Sequence, residues 1–592
     1  MSGHSVSNQL PTGSKLKLTS RSFLALTLVW AVLLLCLTLA PAERLPPTPQ
    51  WRLLSFDTFA HAAFFAVQAA LTWLSLRRQT RWPRLARHAT PVVLLGCITF
   101  GALIEALQMA LPFNRHGEWS DLISDGLGAA VALGLLTLAA APLRRRGWVI
   151  GLLLISLPPF AARSQDLPRA RATIAKLASR EMHGRGYVRQ GERKAAAYLR
   201  GRLRQLKLQP LAPDYIQPFE LDVNTFPGKA TLVLSHGFFP LLGPHWRLKA
   251  GRDFIVTASS GSGKLSSGRR LLYLDSTMLN QPEEIQTYLR NSRRPSTTVL
   301  LDQYAQRPAN LPVSVAQRLD SAAAVLRVVT KLTATLASEQ SHQMQLEALP
   351  HPMLHQFKPS TGSPAWTANM RIAAQLQRHY PTQNLCALIP GRSQPDSFLV
   401  VTAHYDHLGM MGRKAYFPGA NDNASGVALL LELATHYARP ENQPACSIAF
   451  LLFGAEEAGL VGSRYFVQHP LVPLQQIKFL VNLDLLGTGE DGATVVNGRV
   501  HEAAFQQLLR LNEAGRYLPS LAARGRAANS DHYPFSEAGV PAFFMYTRGG
   551  SPAYHDVHDT PDKLSLAGFA GAFKLVRDFL NARQAVNSLP PR

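Results

Sequence analysis

The 592-residue chain reads as an α/β protein built on a largely parallel sheet, with an inserted accessory domain and an all-α, multi-pass membrane part at its N-terminus. Three observations predict this. Through the C-terminal half, short apolar runs rich in β-branched residues alternate with helical runs, the pattern of strands buried on both faces. Between Glu220 and about Pro364 the runs shorten and are broken by Gly, Ser and Pro clusters, which marks a second unit. The first 162 residues hold apolar stretches of membrane-spanning length flanked by arginines. A chain this long exceeds one hydrophobic core, so a membrane part and two soluble units are expected.

Residues 1–20 are polar and basic, and 22–40 follow as a long apolar run without a small-residue cleavage site, hence a helix rather than a removed signal. Further spans are expected at 58–76, 91–111 and 122–141, with a shorter one at 148–162. Arg77, Arg78, Arg81, Arg84 and Arg87 follow the second span, and Arg144, Arg145 and Arg146 follow the fourth, on the same side as the basic N-terminus. If five segments span, everything after Ala162 lies outside the cytoplasm. The expectation is a bacterial-type inner (cytoplasmic) membrane protein with a periplasmic soluble part.

Several polar residues sit at costly places in these spans: Asp57, His61, Glu105, Gln108, Arg115, Asp121 and Asp125. With Gly128 following, the pattern resembles the VanZ-like membrane family, although Thr58 and Asp125 stand where that family has Lys and Asn. The resemblance implies a four-helix membrane domain over 1–147 and a fifth helix or internal signal over 148–163. A polar cluster that merely packs helices is the alternative.

The net charge of +23 raises nucleic acid as a partner, but no basic stretch is interleaved with stacking aromatics, so that class is excluded. Lipid bilayer, with anionic lipid or cell-wall polymer, is the expected partner; arginines that simply flank membrane helices are the plainer explanation. Of the four cysteines, Cys36, Cys97, Cys386 and Cys446, no pair has metal-type spacing. A Cys386–Cys446 disulfide and buried free thiols both stay open.

The soluble part opens with helical periodicity over 170–206, which contains Gly184-Arg185-Gly186. Residues 168–221 start the main domain, 222–370 form the accessory insert, with strand-like runs at 230–234, 270–274 and 298–301, and 371–585 form the core. Gly261-Ser262-Gly263-Lys264 lacks the earlier Gly and following Ser or Thr of a phosphate loop and reads as a turn. A helix over 566–585 closes the core.

Within that core, 398–403 is a strand ending in His404, Tyr405 and Asp406, and Asp422 opens the helix over 427–437. The runs 447–453, 479–483 and 541–546 end in or before Glu456-Glu457, Asp484 and Tyr554-His555. Ligands of open α/β sheets bind outside the carboxyl ends of the strands. Imidazoles and carboxylates gathered there suit zinc, and a carboxylate can join two ions, so the set suits a two-metal hydrolytic site. Singly, each residue has an ordinary explanation: Asp422 as a helix cap, Glu456-Glu457 as an acidic pair at a helix start, His404 as a satisfied strand-end histidine. Jointly, at successive strand tops, they form a site.

The motifs HYDHLG, GANDNASG, FGAEEAGLVGS, NLDLLG, SDHYPF and YHDVHDTPDK resemble those of the di-zinc exopeptidases that include secreted bacterial aminopeptidases, aminopeptidase Y and glutamate carboxypeptidase II. The resemblance covers about 168–579. It implies a mixed, largely parallel sheet sandwiched by helices, an insert of protease-associated type, and two zinc ions per chain. It assigns His404 and Asp484 to one zinc, Glu457 and His555 to the other, and Asp422 to both. Glu456 becomes the general base, and Tyr554 helps hold the oxyanion. Asp406, Asp531 and Asp559 are expected to support the ligands, the last two by orienting histidines, with His407, His532 and His558 beside the pocket. The activity implied is removal of N-terminal residues from peptides. Rival readings are a non-catalytic extracytoplasmic binding domain and a glutaminyl cyclase-like enzyme; a serine hydrolase is excluded, because no G-x-S-x-G lies near these histidines.

Overall fold

The computed structural model describes residues 20–38, 56–110, 119–140, 166–236, 245–274, 280–281, 283, 285–287, 298–301, 311–350, 366–550 and 552–584. The chain divides into two compact units, Met1–Ala162 and Arg163–Arg592.

The first unit contains the helices Ser20–Thr38, Phe56–Arg78, Pro83–Arg87, Ala89–Ala110 and Trp119–Ala140. Phe65, Ala69, Val93, Ile104, Ala129 and Leu133 form its core. Gly128 is required by packing: a Cβ there would lie 1.9 Å from the carbonyl oxygen of Ala62. Beside it, His61 Nδ1 meets Asp125 Oδ1 at 3.1 Å in a buried pair. The multi-pass expectation is not supported, because among the described residues no helix is long and apolar enough to cross a membrane. The expected span at 148–162 and Arg115 lie outside the described residues, as do the side chains of Asp57, Glu105, Gln108 and Asp121.

The second unit is organised on a nine-stranded mixed sheet. Its centre is four parallel strands in the order Cys446–Phe453, Gln394–His404, Ile477–Leu483 and Ala542–Thr547. Antiparallel strands extend both sides, Gln375–Ile389 next to Cys446–Phe453 and Ala493–Val496 next to Ala542–Thr547. Side-chain alternation fills both faces. Leu399, Val401 and Ala403 point into one core with Ile448, Phe450 and Leu452, while Phe398 and Val400 join Ala449, Leu451 and Phe453 in the other. Each fully buried aliphatic side chain contributes roughly 1.5–3 kcal/mol, so apolar residues are required at these positions. The first face is covered by the helices Gly426–Tyr437 and Phe569–Gln584.

The periodic region 170–206 is not one helix. Leu167–Leu177 and Gly191–Gln205 are separated by tight turns in which His183, Gly184, Arg185, Arg189 and Gln190 have positive φ. Residues 230–372 form a separate eight-stranded sheet that opens with His245–Leu248, Ala230–His236, Trp366–Ile372 and Gly263–Leu274 in that order. Gly263-Lys264, expected in a turn, starts one of its strands. Cys386 and Cys446 are buried free thiols. The register explains why: Cys386 faces Leu451, five residues along the neighbouring strand from Cys446, far beyond disulfide reach.

Candidate metal centre

The parallel register delivers the site. Thr402 pairs with Asn482, so His404 and Asp484 emerge side by side two residues later, and His404 itself lies level with Phe453, just before Glu456 and Glu457. Asp422 arrives from the turn that starts Gly426–Tyr437, and His555 from the loop after Ala542–Thr547. Both sheet-core faces end beneath this point, so the polar side chains stand on a rigid apolar floor.

Around Asp422 the distances are short. His404 Nε2 lies 3.3 Å from Asp422 Oδ1 and 3.5 Å from Asp484 Oδ1, with Glu456 Oε2 at 4.0 Å. His555 Nε2 lies 3.2 Å from Asp422 Oδ2 and 3.1 Å from Glu457 Oε2. Asp422 therefore faces both histidines, one with each oxygen. By mutual proximity of ligand atoms the side chains also group as His404, Glu456 and Asp484, and as His407, Asp422 and Glu457. The pairwise distances favour Asp422 over Glu456 beside His404. They likewise favour His555 over His407 as the histidine shared by Asp422 and Glu457, since His407 Nδ1 is 4.0 Å from Asp422 and hydrogen-bonded to Glu457 Oε1 at 2.6 Å.

The supporting residues act mainly on loops. Asp406 accepts the backbone N–H groups of Glu456 (3.1 Å) and Glu457 (3.4 Å), fixing both glutamates at once. Asp559 accepts the N–H groups of Asn421 and Asp422, so it shapes the Asp422 loop instead of orienting a histidine. A relay of Thr402, Asn482 and Ser530 ends in a 2.8 Å hydrogen bond from Ser530 Oγ to Asp484 Oδ2. Asp531 and His532 are buried next to it. Burial above all pushes the Asp531 carboxyl up to about 7. Tyr554 is half-exposed and stacks on His555, ring centroids 3.8 Å apart. His558 donates its backbone N–H to Asp556 and takes no place in the centre.

His407, expected beside the pocket, steadies Glu457 as above, and Arg185, to which the sequence assigned no role, also joins the site. Arg185 is fully buried and donates to five main-chain carbonyls: Tyr405 (2.8 Å), Leu177 (3.1 Å), Pro418 (2.8 Å), Gly419 (2.8 Å) and Asp422 (2.9 Å). It thereby ties the strand end after His404 to the loop that presents Asp422. Its flanking glycines permit the approach, since a Cβ on Gly186 would sit 2.4 Å from Gly409 Cα. The Gly-Arg-Gly triplet was the available signal.

The electrostatics separate the two adjacent glutamates. Burial, followed by the Asp531, Glu457 and Asp484 carboxylates, holds the Glu456 carboxyl well above the usual range, only partly opposed by His404. For Glu457, burial and Asp422 push up, but His555 and His407 prevail and hold it at about 2. Burial alone would lower the His555 imidazole, and Glu457 with Asp422 instead raise it to about 11.

The donor set fits divalent metal. Five carboxylate and imidazole side chains converge, and Asp484 Oδ1 is buried without a hydrogen-bond partner at the position that faces His404. His404, Asp422, Asp484 and His555, with Glu456 and Tyr554, line a pocket of about 230 Å³ whose outer wall is Leu485, Arg524, Asn529, Phe544 and Tyr546.

Comparison with known proteins places this region in a class. Residues 384–580, about a third of the chain, match the family model of peptidase family M28, and that stretch contains every imidazole and carboxylate of the centre. Among curated proteins, the chain is 31% identical over 216 residues to a probable leucine aminopeptidase of Arthroderma otae, covering 35% of this chain and 59% of that one. It is 33% identical over 182 residues to aminopeptidase YwaD of Bacillus subtilis, covering 29% and 37%. The chain thus spans little more than half of the first relative and about a third of the second. Among solved structures, a zinc aminopeptidase from Bacillus subtilis superposes with a TM-score of 0.50 at 21% identity, over 70% of this chain and 93% of that one, a likeness of fold.

Proposed function

We propose that the chain is a zinc-dependent metallopeptidase that removes N-terminal amino acids from peptides. The observation that carries this is the placement of Asp422 between two histidine–carboxylate groups, with Glu456 beside them and a pocket in front. His404 and Asp484 would hold one zinc, Glu457 and His555 the other, with Asp422 shared. When bound, the two ions supply an acidified water and polarise the scissile carbonyl.

The protein's own groups do the rest. Glu456 is aimed by Asp406 through its backbone N–H and stands 4.0 Å from His404, placed to take a proton from water and return it to the leaving amine nitrogen. Tyr554, at the pocket wall, offers its hydroxyl to the oxyanion that forms on the carbonyl oxygen. Asp406, Asp559, His407 and Arg185 hold these groups within the tolerance that such chemistry needs. Metal analysis of the purified protein together with hydrolysis of aminoacyl anilides tests the reading. Two zinc ions per chain and chelator-sensitive cleavage support it; a metal-replete protein that cleaves neither anilides nor peptides rejects it.

We also propose that the first unit contacts lipid and that the peptidase lies outside the cytoplasm. Supporting this, the first unit exposes large apolar side chains: Leu28 is 60% exposed, Val29 67%, Leu95 67% and Leu135 61%. A phosphatase reporter fused after Arg163 should be active and a cytoplasmic fluorescent reporter dark. The reverse places the peptidase inside.

A further inference from the structure

The outer wall of the pocket carries a charge that the proposed reaction does not use. Arg524 follows the edge strand Leu521–Ala523, and its backbone is pinned there, its N–H donating to Val495 O at 2.9 Å and its carbonyl accepting from Arg499 N at 3.1 Å. Its guanidinium donates to the Tyr546 hydroxyl at 3.1 Å and lines the pocket shared by His404, Asp422, Glu456 and Asp484. Among the described residues no carboxylate pairs with Arg524, whereas Arg526, two residues on, is paired with Glu537 at 3.1 Å.

The pocket's remaining polarity is asymmetric. Its carboxylates are Asp422, Glu456 and Asp484, all committed to the metal centre or the base, so a substrate cation can meet only those groups. The opposite wall offers one guanidinium, the Asn529 amide and the aromatic faces of Phe544 and Tyr546. A planar fork of N–H donors, held by a tyrosine hydroxyl and free of an internal anion, is built to receive a carboxylate.

We infer that Arg524 is a specificity-determining residue that binds a substrate carboxylate, an inference that rests on the peptidase reading above and narrows its substrates to peptides with an anionic group beside the scissile bond. That group is either the acidic side chain of the N-terminal residue or the C-terminal carboxylate of a very short peptide. Both present the same chemistry to Arg524, with Tyr546 setting the plane of the fork.

The test reads selectivity inside each protein, so that a general loss of activity cancels. Zinc-loaded protein is assayed on glutamyl against glutaminyl anilide, and on leucyl-alanine against leucyl-alaninamide. In one of the two arms the acid should be preferred in kcat/KM by about tenfold, the lower end for a charge-assisted hydrogen bond because Arg524 is solvent-exposed. That preference should fall to near unity in Arg524→Gln and partway in Tyr546→Phe. The glutamyl arm identifies an acidic side chain, the dipeptide arm a C-terminal carboxylate. Absence of preference in both arms, or its persistence in Arg524→Gln, overturns the inference. A second measurement does not depend on turnover: calorimetric binding of the same acid and amide dipeptides, and of glutamate against glutamine amide, to Glu456→Gln and to Glu456→Gln/Arg524→Gln. Acid-selective binding lost in the double variant, with no cleavage by the wild type, would sustain the carboxylate site while rejecting the peptidase reading. Equal binding of acid and amide would overturn the site.

Discussion

Arg185 makes the dependence of the centre on its supports measurable. All five of its N–H groups are spent on carbonyls from three separate segments, and Asp422, Asp559, Asp406 and Glu457 surround its charge. Burial lowers the guanidinium to about 10, which leaves it protonated at neutral pH. Arg185→Lys keeps the charge but offers three donors from one point, so at least two buried carbonyls lose their partner. At roughly 1–3 kcal/mol for each, the variant should be about 2–6 kcal/mol less stable. Arg185→Met strands all five carbonyls and removes the counter-charge as well, a loss comparable with the roughly 5–15 kcal/mol that holds a typical domain together. The assay is thermal unfolding combined with zinc content after dialysis. Arg185→Lys should melt several degrees lower and retain less zinc, because Asp422 is presented by the loop that Arg185 grips; Arg185→Met should fail to accumulate folded. An Arg185→Lys protein with wild-type zinc content and a melting midpoint within a degree of wild type would refute the reasoning.

Three further substitutions follow from the same geometry. Asp422→Asn should lose more zinc than any other single ligand change, and more than His404→Ala, because its two oxygens face His404 and His555 separately; equal, partial losses in the two variants would mean that the shared ligand is another residue. His407→Phe removes the 2.6 Å hydrogen bond to Glu457, so chelator titration should show one site weakened roughly 10–100-fold and restored by excess zinc, and an unchanged titration would contradict the assigned support. Glu192 is buried where it accepts from the Tyr380 hydroxyl at 2.9 Å, and burial pushes its carboxyl from 4.5 up to about 7, opposed by Tyr380 and Arg193. The folded protein thus keeps a proton that the unfolded chain releases above about pH 4.5, so this group's stabilisation is full below that pH and is lost as pH rises to about 7. Glu192→Gln should therefore gain on wild type between pH 5 and 8, by up to about 3 kcal/mol; a pH-independent difference in melting temperature would show that the carboxyl is not held protonated.

The core and its site were legible because both rest on short-range pattern. Apart from Thr402 and Ser447, the runs at 398–403 and 447–453 are apolar, since alternate side chains enter two different cores, and the polar residues that end them must then lie at the sheet's edge. What escaped reading depends on long-range partners. Arg185 is a charged residue whose five acceptors are main-chain oxygens up to 237 positions away, which no side-chain pattern reveals. The 170–206 region kept its helical spacing across a break made by positive-φ residues, His183 and Gln190 among them, that are not obligate helix breakers. In the second sheet, Trp366–Ile372 inserts between Ala230–His236 and Gly263–Leu274, a pairing across more than 90 residues that weak strand signals do not announce. Asp559 was expected to orient a histidine, yet the backbone N–H groups of Asn421 and Asp422 reach it first.

Glu456 and Glu457 are adjacent in sequence and should differ completely in chemistry, which makes them the most direct test of a two-metal hydrolytic centre. Glu457 lies 3.1 Å from His555 and accepts from His407 at 2.6 Å, whereas Glu456 stands 4.0 Å from His404 and lines the pocket in which substrate would sit. Zinc content and turnover are measured side by side in Glu456→Gln and Glu457→Gln. The account predicts that Glu456→Gln keeps two zinc ions while turnover falls by roughly 10²–10⁴, the worth of a general base, and that Glu457→Gln loses zinc and recovers part of its activity in excess zinc. Zinc loss in Glu456→Gln with retention in Glu457→Gln would reverse the two roles, and unaltered turnover in both would contradict the two-metal mechanism itself.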